Sequence, residues 1–368
     1  MVFRFLHTAD WQIGKRFGAF TAEKAALLRD ARFEAVATLA KLAISRDIRH
    51  VLVAGDIFET ETSEPATRRK LLAILRQHET LRWHLLPGNH DPGRPGGLWD
   101  ACRKDGLPAN VMLHLEAKPA EIEPGVFLLP CPIATRHVHA DPAAWIEAAA
   151  LPDSAYRIGL AHGSVEGFAG DSNRPLDYTV AEKHLSYFAL GDWHGAKKVG
   201  ERTWYSGTPE PDRFKANDPG HVLLVTLAAP HALPQVEPVP VGQYLWTEAS
   251  FHMTGDDDLA RLQSDVAGHH PESRKLLLKL SIDGLVPLAT RLRLQSELDR
   301  LGDELFHLES DLEHLHLHAE ASDLDLIDRS GELRHAAERL LELAQSDSPD
   351  RDIAEGALAR LHAWSARA

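Results

Sequence analysis

The sequence predicts an α/β layered domain, followed by a small second α/β unit and a helical C-terminal tail. Three observations predict it. Short apolar runs alternate with helical patterns through the first 228 residues. A Pro-rich stretch, AAPHALPQVEPVPVG, then breaks the alternation. Beyond it come further strand-like and amphipathic segments, and the chain closes on two short helical patterns. The expected boundaries are 1–228 for the first domain, 229–243 for a linker, 244–329 for a small capping domain and 330–368 for the tail.

Strand-like runs fall at 3–8, 50–54, 83–86, 126–129, 158–161, 188–190 and 222–227. Between the first two, residues 21–46 carry Phe33, Val36, Leu39, Ala40, Ala43 and Ile44 at helical spacing. A second helix opens in SEPATRRKLLAILRQHE, with Ser63 as the expected N-cap and Pro65 in the first turn. After the linker, QYLWTEASFHM, DDLARLQSDVAG and RKLLLKLSI form the second α/β unit. Leu294, Leu298, Leu301, Leu305, Leu308, Leu312 and Leu315 then alternate by four and three residues, an a/d seam over three heptads. Such a seam fits a helix packed on its own domain, or a coiled coil with another chain, a homodimer included. At its end HLHLHAEA alternates with period two and reads as a strand. Its histidines, His314, His316 and His318, have no acid or cysteine placed with them and read as a solvated face. Residues 332–345 and 352–365 read as amphipathic helices joined by SDSPD.

At 368 residues and 44% apolar, the chain has enough material for two or three domains with sizeable cores. No run approaches the roughly 20 apolar residues of a membrane span, so no membrane partner is expected. Cys102 and Cys131 stand alone without a CxxC, which excludes a disulfide framework and a thiolate zinc site and points to a reducing cytoplasm. The net charge of −14 is unevenly spread: residues 291–368 hold 9 Arg and no Lys against 18 acids. The other 290 residues carry 31 basic and 36 acidic side chains, a balance that neither supports nor excludes a nucleic-acid partner.

Five places share one design, an apolar run followed at once by hard metal ligands or glycine. They are HTADWQIG with Asp10 and Gln12, VLVAGDIFE with Asp56, LLPGNHD with Asn89, His90 and Asp91, IGLAHGS with His162, and FALGDWHG with Asp192 and His194. In open α/β sheets ligands bind beyond the carboxyl ends of strands, where glycine lets the backbone turn. Singly, each stretch is what a turn after a strand uses anyway. Five strands delivering oxygen and imidazole groups to one rim build a polar cluster that a divalent metal compensates.

In this order the stretches resemble the calcineurin-like metallophosphoesterases, and more narrowly the SbcD-type DNA repair exonuclease branch. The residues that carry the resemblance are Asp10-Trp11-Gln12, Gly55-Asp56-Ile57-Phe58-Glu59, Gly88-Asn89-His90-Asp91, His162 and Gly191-Asp192-Trp193-His194. The narrower likeness rests on FLHTADWQIGK, GDIFE and RTWYSGTPEPDRF, and it covers residues 1–228. It implies the metallophosphoesterase-type sandwich and two divalent ions, Mn²⁺ first and Mg²⁺ second. One ion would be held by Asp10, Gln12, Asp56 and His194, the other by Asp56, Asn89, His162 and Asp192, with Asp56 bridging. His90 would stand beside the leaving oxygen, oriented by Asp91, and a hydroxide bridging the ions would attack. Gln12 and Asp192 depart from the family pattern, which has histidine at both places. Oxygen in place of imidazole shifts preference toward Mn²⁺ or Mg²⁺ and away from zinc.

The resemblance implies a phosphodiesterase acting on DNA, an exo- or endonuclease of repair. It also implies an SbcC-like coiled-coil ATPase as partner, docked on the C-terminal helices. A small-molecule or protein phosphoesterase is one alternative, and a non-catalytic metal-binding subunit of an ATPase complex is another. Lys197, Lys198, Arg202, Arg213 and Lys215 are candidates to meet nucleic-acid phosphates, diluted by Glu201, Glu210, Asp212 and Asp218.

Overall fold

Alternate residues of the first strand face two different cores, and that alternation fixes the layering. In β1 (Phe3–Thr8), Leu6 joins a cluster with Val51, Val53, Leu71 and Trp83, whereas Phe3 and Phe5 join Leu52, Ala54, Leu128 and Ile158. A strand buried on both faces cannot show a polar alternation, which is why these strands read as continuous apolar runs. The structure, a computed structural model, describes residues 2–137, 140–166, 175–215, 217–318, 324, 327–328, 330–346 and 349–365. The chain divides into two units, Met1–Pro211 with Asn217–Gln243, and Asp212–Ala216 with Tyr244–Ala368.

Among the described residues the first unit holds two six-stranded sheets. In the first sheet β1, β2 (His50–Ala54), β3 (Arg82–Leu86) and β4 (Val111–Leu113) run parallel. The second sheet is built on β5 (Ala120–Glu123), β6 (Val126–Cys131), β7 (Tyr156–His162) and β8 (Tyr187–Gly191), followed by β9 (Lys197–Lys198) and β10 (Thr203–Tyr205). Here β6, β7, β8 and β10 are parallel, with β5 and β9 antiparallel at the edges. Returning to the first sheet, β11 (His221–Leu227) pairs antiparallel with β1, and β12 (Gln235–Pro240) pairs with β11. The proline-rich stretch expected as linker thus carries an edge strand. Pro238 and Pro240 are tolerated there because an edge strand leaves one row of N–H groups unpaired.

Helices α1 (Ala22–Ser45), α2 (Pro65–Gln77) and α3 (Leu98–Lys104) cover the outer face of the first sheet. Thr21 caps α1 through its hydroxyl, which accepts from the Lys24 N–H. Phe33, Val36, Leu39, Ala40 and Ala43 are buried as expected, but Ile44 is exposed. The N-cap of α2 is Glu64, not Ser63. Pro65 at the first helical position forces the residue before it into the extended region, and that residue is Glu64. The short α4 (Thr179–His184) packs on the other face of the second sheet.

On the inner face of the first sheet three histidines form a chain. His50 Nδ1 lies 3.0 Å from His84 Nε2, and His84 Nδ1 lies 3.2 Å from His114 Nε2. The rings stack at 5.3 and 5.4 Å, and His50 Nε2 ends the chain 3.1 Å from Glu123 Oε1.

The second unit has a parallel sheet of β13 (Leu245–Met253), β14 (Leu276–Pro287), β15 (His307–Asp311) and β16 (Leu315–His318), with α5 (Asp257–His269) and α6 (Leu288–Glu304). The first half of β14 pairs with β15 and its last residues with β16. The leucine seam is therefore helical only as far as α6 runs. Leu294, Leu298, Leu301, Leu305 and Leu315 all turn into this unit's own core, and Leu308 lies in a strand. Seven leucines spaced by three and four satisfy helix and strand burial alike when the chain reverses at Leu305. In the tail, α7 (Glu332–Ala344) and α8 (Arg351–Ser365) share a cluster with Leu288 and Leu317. Among the described residues no helix is long and apolar enough to cross a membrane.

Candidate metal centre

The parallel strands of both sheets in the first unit end at one rim. Beyond β1 come Asp10 and Gln12, beyond β2 Asp56, and beyond β3 Asn89, His90 and Asp91. From the second sheet, β7 ends on His162, and β8 leads into Asp192 and His194. Asp10 (φ 53), Gln12 (φ 43), Asp56 (φ 51) and Asp192 (φ 104) all take the left-handed backbone region that non-glycine residues avoid. Such strain persists only where surrounding structure holds it, and it gathers at functional sites.

Two loops run side by side to hold it. Asp10 N–H donates to Gly55 O at 3.0 Å, Gln12 N–H to Asp56 O at 2.9 Å, and Ile13 N–H to Ile57 O at 2.9 Å. Glycine is required where side chains come close. A Cβ on Gly88 would lie 2.1 Å from Asp56 Oδ1, and one on Gly55 (φ +88) 2.2 Å from His162 Nδ1.

Asp10, Asp56 and His162 present ligand atoms within 4.8 Å of one another, all buried. His162 Nδ1 meets Ala54 O at 2.8 Å, which makes it the N–H donor and leaves Nε2 as the nitrogen that can offer a lone pair to a cation. Nε2 lies 3.4 Å from Asp56 Oδ1 and 3.8 Å from Asp192 Oδ1, and it is buried with no hydrogen-bond partner among the described residues. Asn89 Oδ1 is orphaned in the same way. Buried orphaned acceptors among carboxylates are what a cation would satisfy, so these residues fit a divalent metal.

The electrostatics agree. Burial pushes the Asp10 carboxyl up to about 6, against the pull of His194 and His162. Burial likewise holds Asp91 well above the usual carboxylate range, with Asp56 adding to it. For His162 burial works downward, yet Asp56, Asp10 and Asp192 outweigh it and hold the ring up at about 9. The same carboxylates that hold a proton on His162 would favour a cation in its place.

The remaining residues take defined places. His90 N–H donates to Asp56 Oδ1 at 2.9 Å, and its Nε2 stands 4.0 Å from Asp56 Oδ2. Asp91 does not orient His90: it is Glu59 O, 2.8 Å from His90 Nδ1, that fixes the ring. The Asp91 carboxylate instead accepts Gly88 N–H at 2.6 Å and Phe58 N–H at 3.0 Å, tying two rim loops together. Adjacent side chains beyond a strand point different ways, so proximity in sequence misled. Gln12 Nε2 lies 3.2 Å from His194 Nε2, and Lys15 Nζ donates to Gln12 Oε1 at 3.3 Å.

Sequence reasoning missed Arg32. It is fully buried and donates to Trp11 O at 2.7 Å, Glu210 O at 3.1 Å and Asp10 O at 3.3 Å. Thr208 Oγ1 adds a bond to Asp10 O at 2.8 Å. The signal was available: Arg32 sits four residues from Leu28 and from Val36 on the apolar stripe of α1, where a charge must have a partner.

The basic candidates do not share one function. Arg202 spends its guanidinium on Ser186 O, Ala232 O and His231 O, a clamp on the chain. Lys198 pairs with Glu201 at 2.9 Å, and Lys197 lies over the Trp193 ring at 5.3 Å. Arg213 and Lys215 belong to the second unit, where Arg213 pairs with Asp212 at 2.9 Å.

The family model for calcineurin-like phosphoesterases matches residues 3–225. The chain belongs to the calcineurin-like phosphoesterase family. It is also similar to the SbcD subunit of the SbcCD nuclease of Rhodobacter capsulatus, at 27% identity over 307 residues, 65% of this chain and 70% of that protein. Among solved structures it is similar to TT1561 of Thermus thermophilus, with a TM-score of 0.42 and 13% identity over 66% of this chain and all of that one. A purple acid phosphatase from yellow lupin gives a TM-score of 0.38 at 14% identity, covering 66% and 52%. As a calcineurin-like phosphoesterase the protein is a hydrolase of phosphate esters that works with divalent metal.

Proposed function

We propose that this phosphoesterase is a DNA phosphodiesterase, a nuclease of the repair type with two divalent ions, Mn²⁺ first and Mg²⁺ second. The observation that carries the reading is the orphaned His162 Nε2 beside Asp10, Asp56 and Asp192, together with the orphaned Asn89 Oδ1. Bound divalent ions supply positive charge to the phosphoryl oxygens and lower the pKa of water from 15.7 to about 7. On this reading Asp10, Gln12 and His194 would hold one ion and Asn89, His162 and Asp192 the other, with Asp56 the ligand common to both. His90, held by the Glu59 carbonyl, aims Nε2 at the rim and carries the proton for the leaving oxygen. Arg32 and Thr208 keep the Asp10 backbone in its strained shape. DNA as substrate, and a coiled-coil ATPase as partner on residues 330–368, are supported by the similarity to a nuclease subunit and by the exposed Leu333 and Ile353 on the terminal helices. The two buried free thiols suit a cytoplasmic protein.

A second reading, a subunit that binds metal without turning over, is favoured by Gln12, whose amide meets the very nitrogen of His194 that would ligate. One assay separates them. Wild-type protein with Mn²⁺, given labelled linear and single-stranded DNA beside bis(p-nitrophenyl) phosphate, should hydrolyse all three. Metal content near two per chain without hydrolysis of any would overturn the nuclease reading in favour of the second.

A further inference from the structure

The two loops that build the rim also enclose a cavity of about 570 Å³ that the metal chemistry does not use. Its walls come from the loop after β1, from α1, and from the loop after β2 with the first turn of α2. Glu59 belongs to both places: its side chain lines the cavity and its carbonyl holds His90. Ile13, the residue after Gln12, lines the cavity too and is bonded to Glu59, whose N–H donates to Ile13 O at 3.1 Å.

The lining has a distinct chemistry. Arg16 and Arg29 stand on one side, and neither guanidinium has an ion-pair partner among the described residues. Arg29 donates to Arg16 O at 3.4 Å, which keeps the two together. Of the acids, Glu59 is paired with Lys15 at 3.9 Å, and Glu64 is exposed at the N-cap of α2. Ser63 and three threonines supply hydroxyls, and the Ser63 hydroxyl is buried without a hydrogen-bond partner among the described residues. Ile13 is the one large apolar side chain in the lining. A volume in the usual range for small-ligand sites, lined by two arginines and four hydroxyl side chains, does not suit a purely hydrophobic guest. It suits a compact molecule with an anionic group and several hydroxyl or ring-nitrogen positions.

We infer that this cavity is a subsite for one nucleotide of the strand being cut, the arginines taking its phosphate and the hydroxyls its sugar. The inference rests on the phosphodiesterase reading and deepens it. With the scissile phosphate at the rim, the neighbouring nucleotide enters a site built from the same two loops. Arginine suits that task, because its planar fork matches phosphate oxygens.

The test uses the full-length protein with Mn²⁺ and the double substitution Arg16→Gln, Arg29→Gln, with Ser63→Ala as a milder variant. The readout is the ratio of kcat/KM for a short oligonucleotide to kcat/KM for bis(p-nitrophenyl) phosphate, which has neither sugar nor base. We expect the double variant to lower this ratio about tenfold or more, the scale of a lost charge-assisted contact, through KM. Ser63→Ala should lower it by a smaller factor. An unchanged ratio overturns the subsite. A matched fall against a phosphopeptide in place of the oligonucleotide overturns it in favour of a protein substrate. Calorimetric titration with a nucleoside monophosphate decides the matter even if no diester is hydrolysed, which would sink the phosphodiesterase reading alone. The wild type should bind about tenfold tighter than the double variant, and equal binding to both overturns the inference.

Discussion

Both units place carboxylates beyond the ends of parallel strands, and among the described residues only the first unit gathers them into a candidate metal centre. In the second unit Asp258 follows β13, and its Oδ2 accepts Thr254 N–H at 2.6 Å, Thr254 Oγ1–H at 3.0 Å and Gly255 N–H at 3.2 Å. Those donors, the Thr254 N–H first among them, hold the Asp258 carboxyl below the usual range. In the first unit burial pushes the carboxyls of Asp10 and Asp91 up. The same contrast shows in the backbone: every non-glycine residue with positive φ among those described lies in the first unit, and four of the seven are rim residues. An acid after a strand is thus spent on pinning the loop before a helix when local N–H groups saturate it. It is a candidate ligand when burial gathers several acids with too few donors to go round.

The sharpest way to break that contrast is at Asp56. Asp56→Asn keeps the shape and removes the charge shared by both halves of the rim. We expect metal content, read by elemental analysis, to fall below half and hydrolysis of bis(p-nitrophenyl) phosphate to fall at least about 10⁴-fold, beyond the scale of a single acid–base group. Retention of both would show that the rim is a loop-pinning network like that of Asp258.

His90→Ala should differ in kind. The ring is held from outside the cluster by Glu59 O, so metal content should stay near wild type. Turnover should drop by about 10²–10⁴. Loss of metal together with activity would make His90 a ligand.

The histidine chain of the first unit predicts a milder, acid-side effect. Burial holds His84 well below the usual histidine range and lowers His114 to about 4. Because these folded values lie below the unfolded one, about 6.5, unfolding takes up protons as the pH falls. Stability is full above about 6.5 and is lost progressively toward about 4. Thermal melting across that window should show His114→Gln with a flatter profile than wild type, and parallel profiles would remove the chain from the account. The smallest effect belongs to Asp258→Ala, expected to lower stability by about 1 kcal/mol, as a lost hydrogen bond does, with no change in metal content. A loss of metal there would blur the distinction between the two kinds of strand end.

Much of this was legible in the sequence. Runs at 3–8 and 50–54 match β1 and β2 residue for residue, because strands buried on both faces leave an unbroken apolar trace. Short edge strands such as β5, half-buried and half polar, and β9, two exposed lysines, leave none. The rim residues were legible as types and positions, since glycine and acid after a strand are local signals. Which atom holds which was not. That Glu59 O, rather than Asp91, orients His90 depends on how two distant loops lie together, and no local pattern encodes it. The leucine seam packs on its own domain, one of the two readings it allowed, but its helix stops short for a related reason: burial on a helix and burial on a following strand leave the same spacing.

The place of β1 has a consequence for how the chain is made. Its residues Phe3–His7 pair with Leu227–Leu223 on one side, while the other side meets β2. The partner strand therefore emerges from the ribosome roughly 220 residues after β1, about 10–45 s at 5–20 residues per second. Arg32 likewise waits for Glu210. Through that interval the nascent chain carries an apolar strand with an open edge, a template for pairing with another chain. Protease digestion of ribosome-stalled chains ending near residue 200 and near residue 280 reads this directly. The shorter should be cut within its first strands, and the longer should resist.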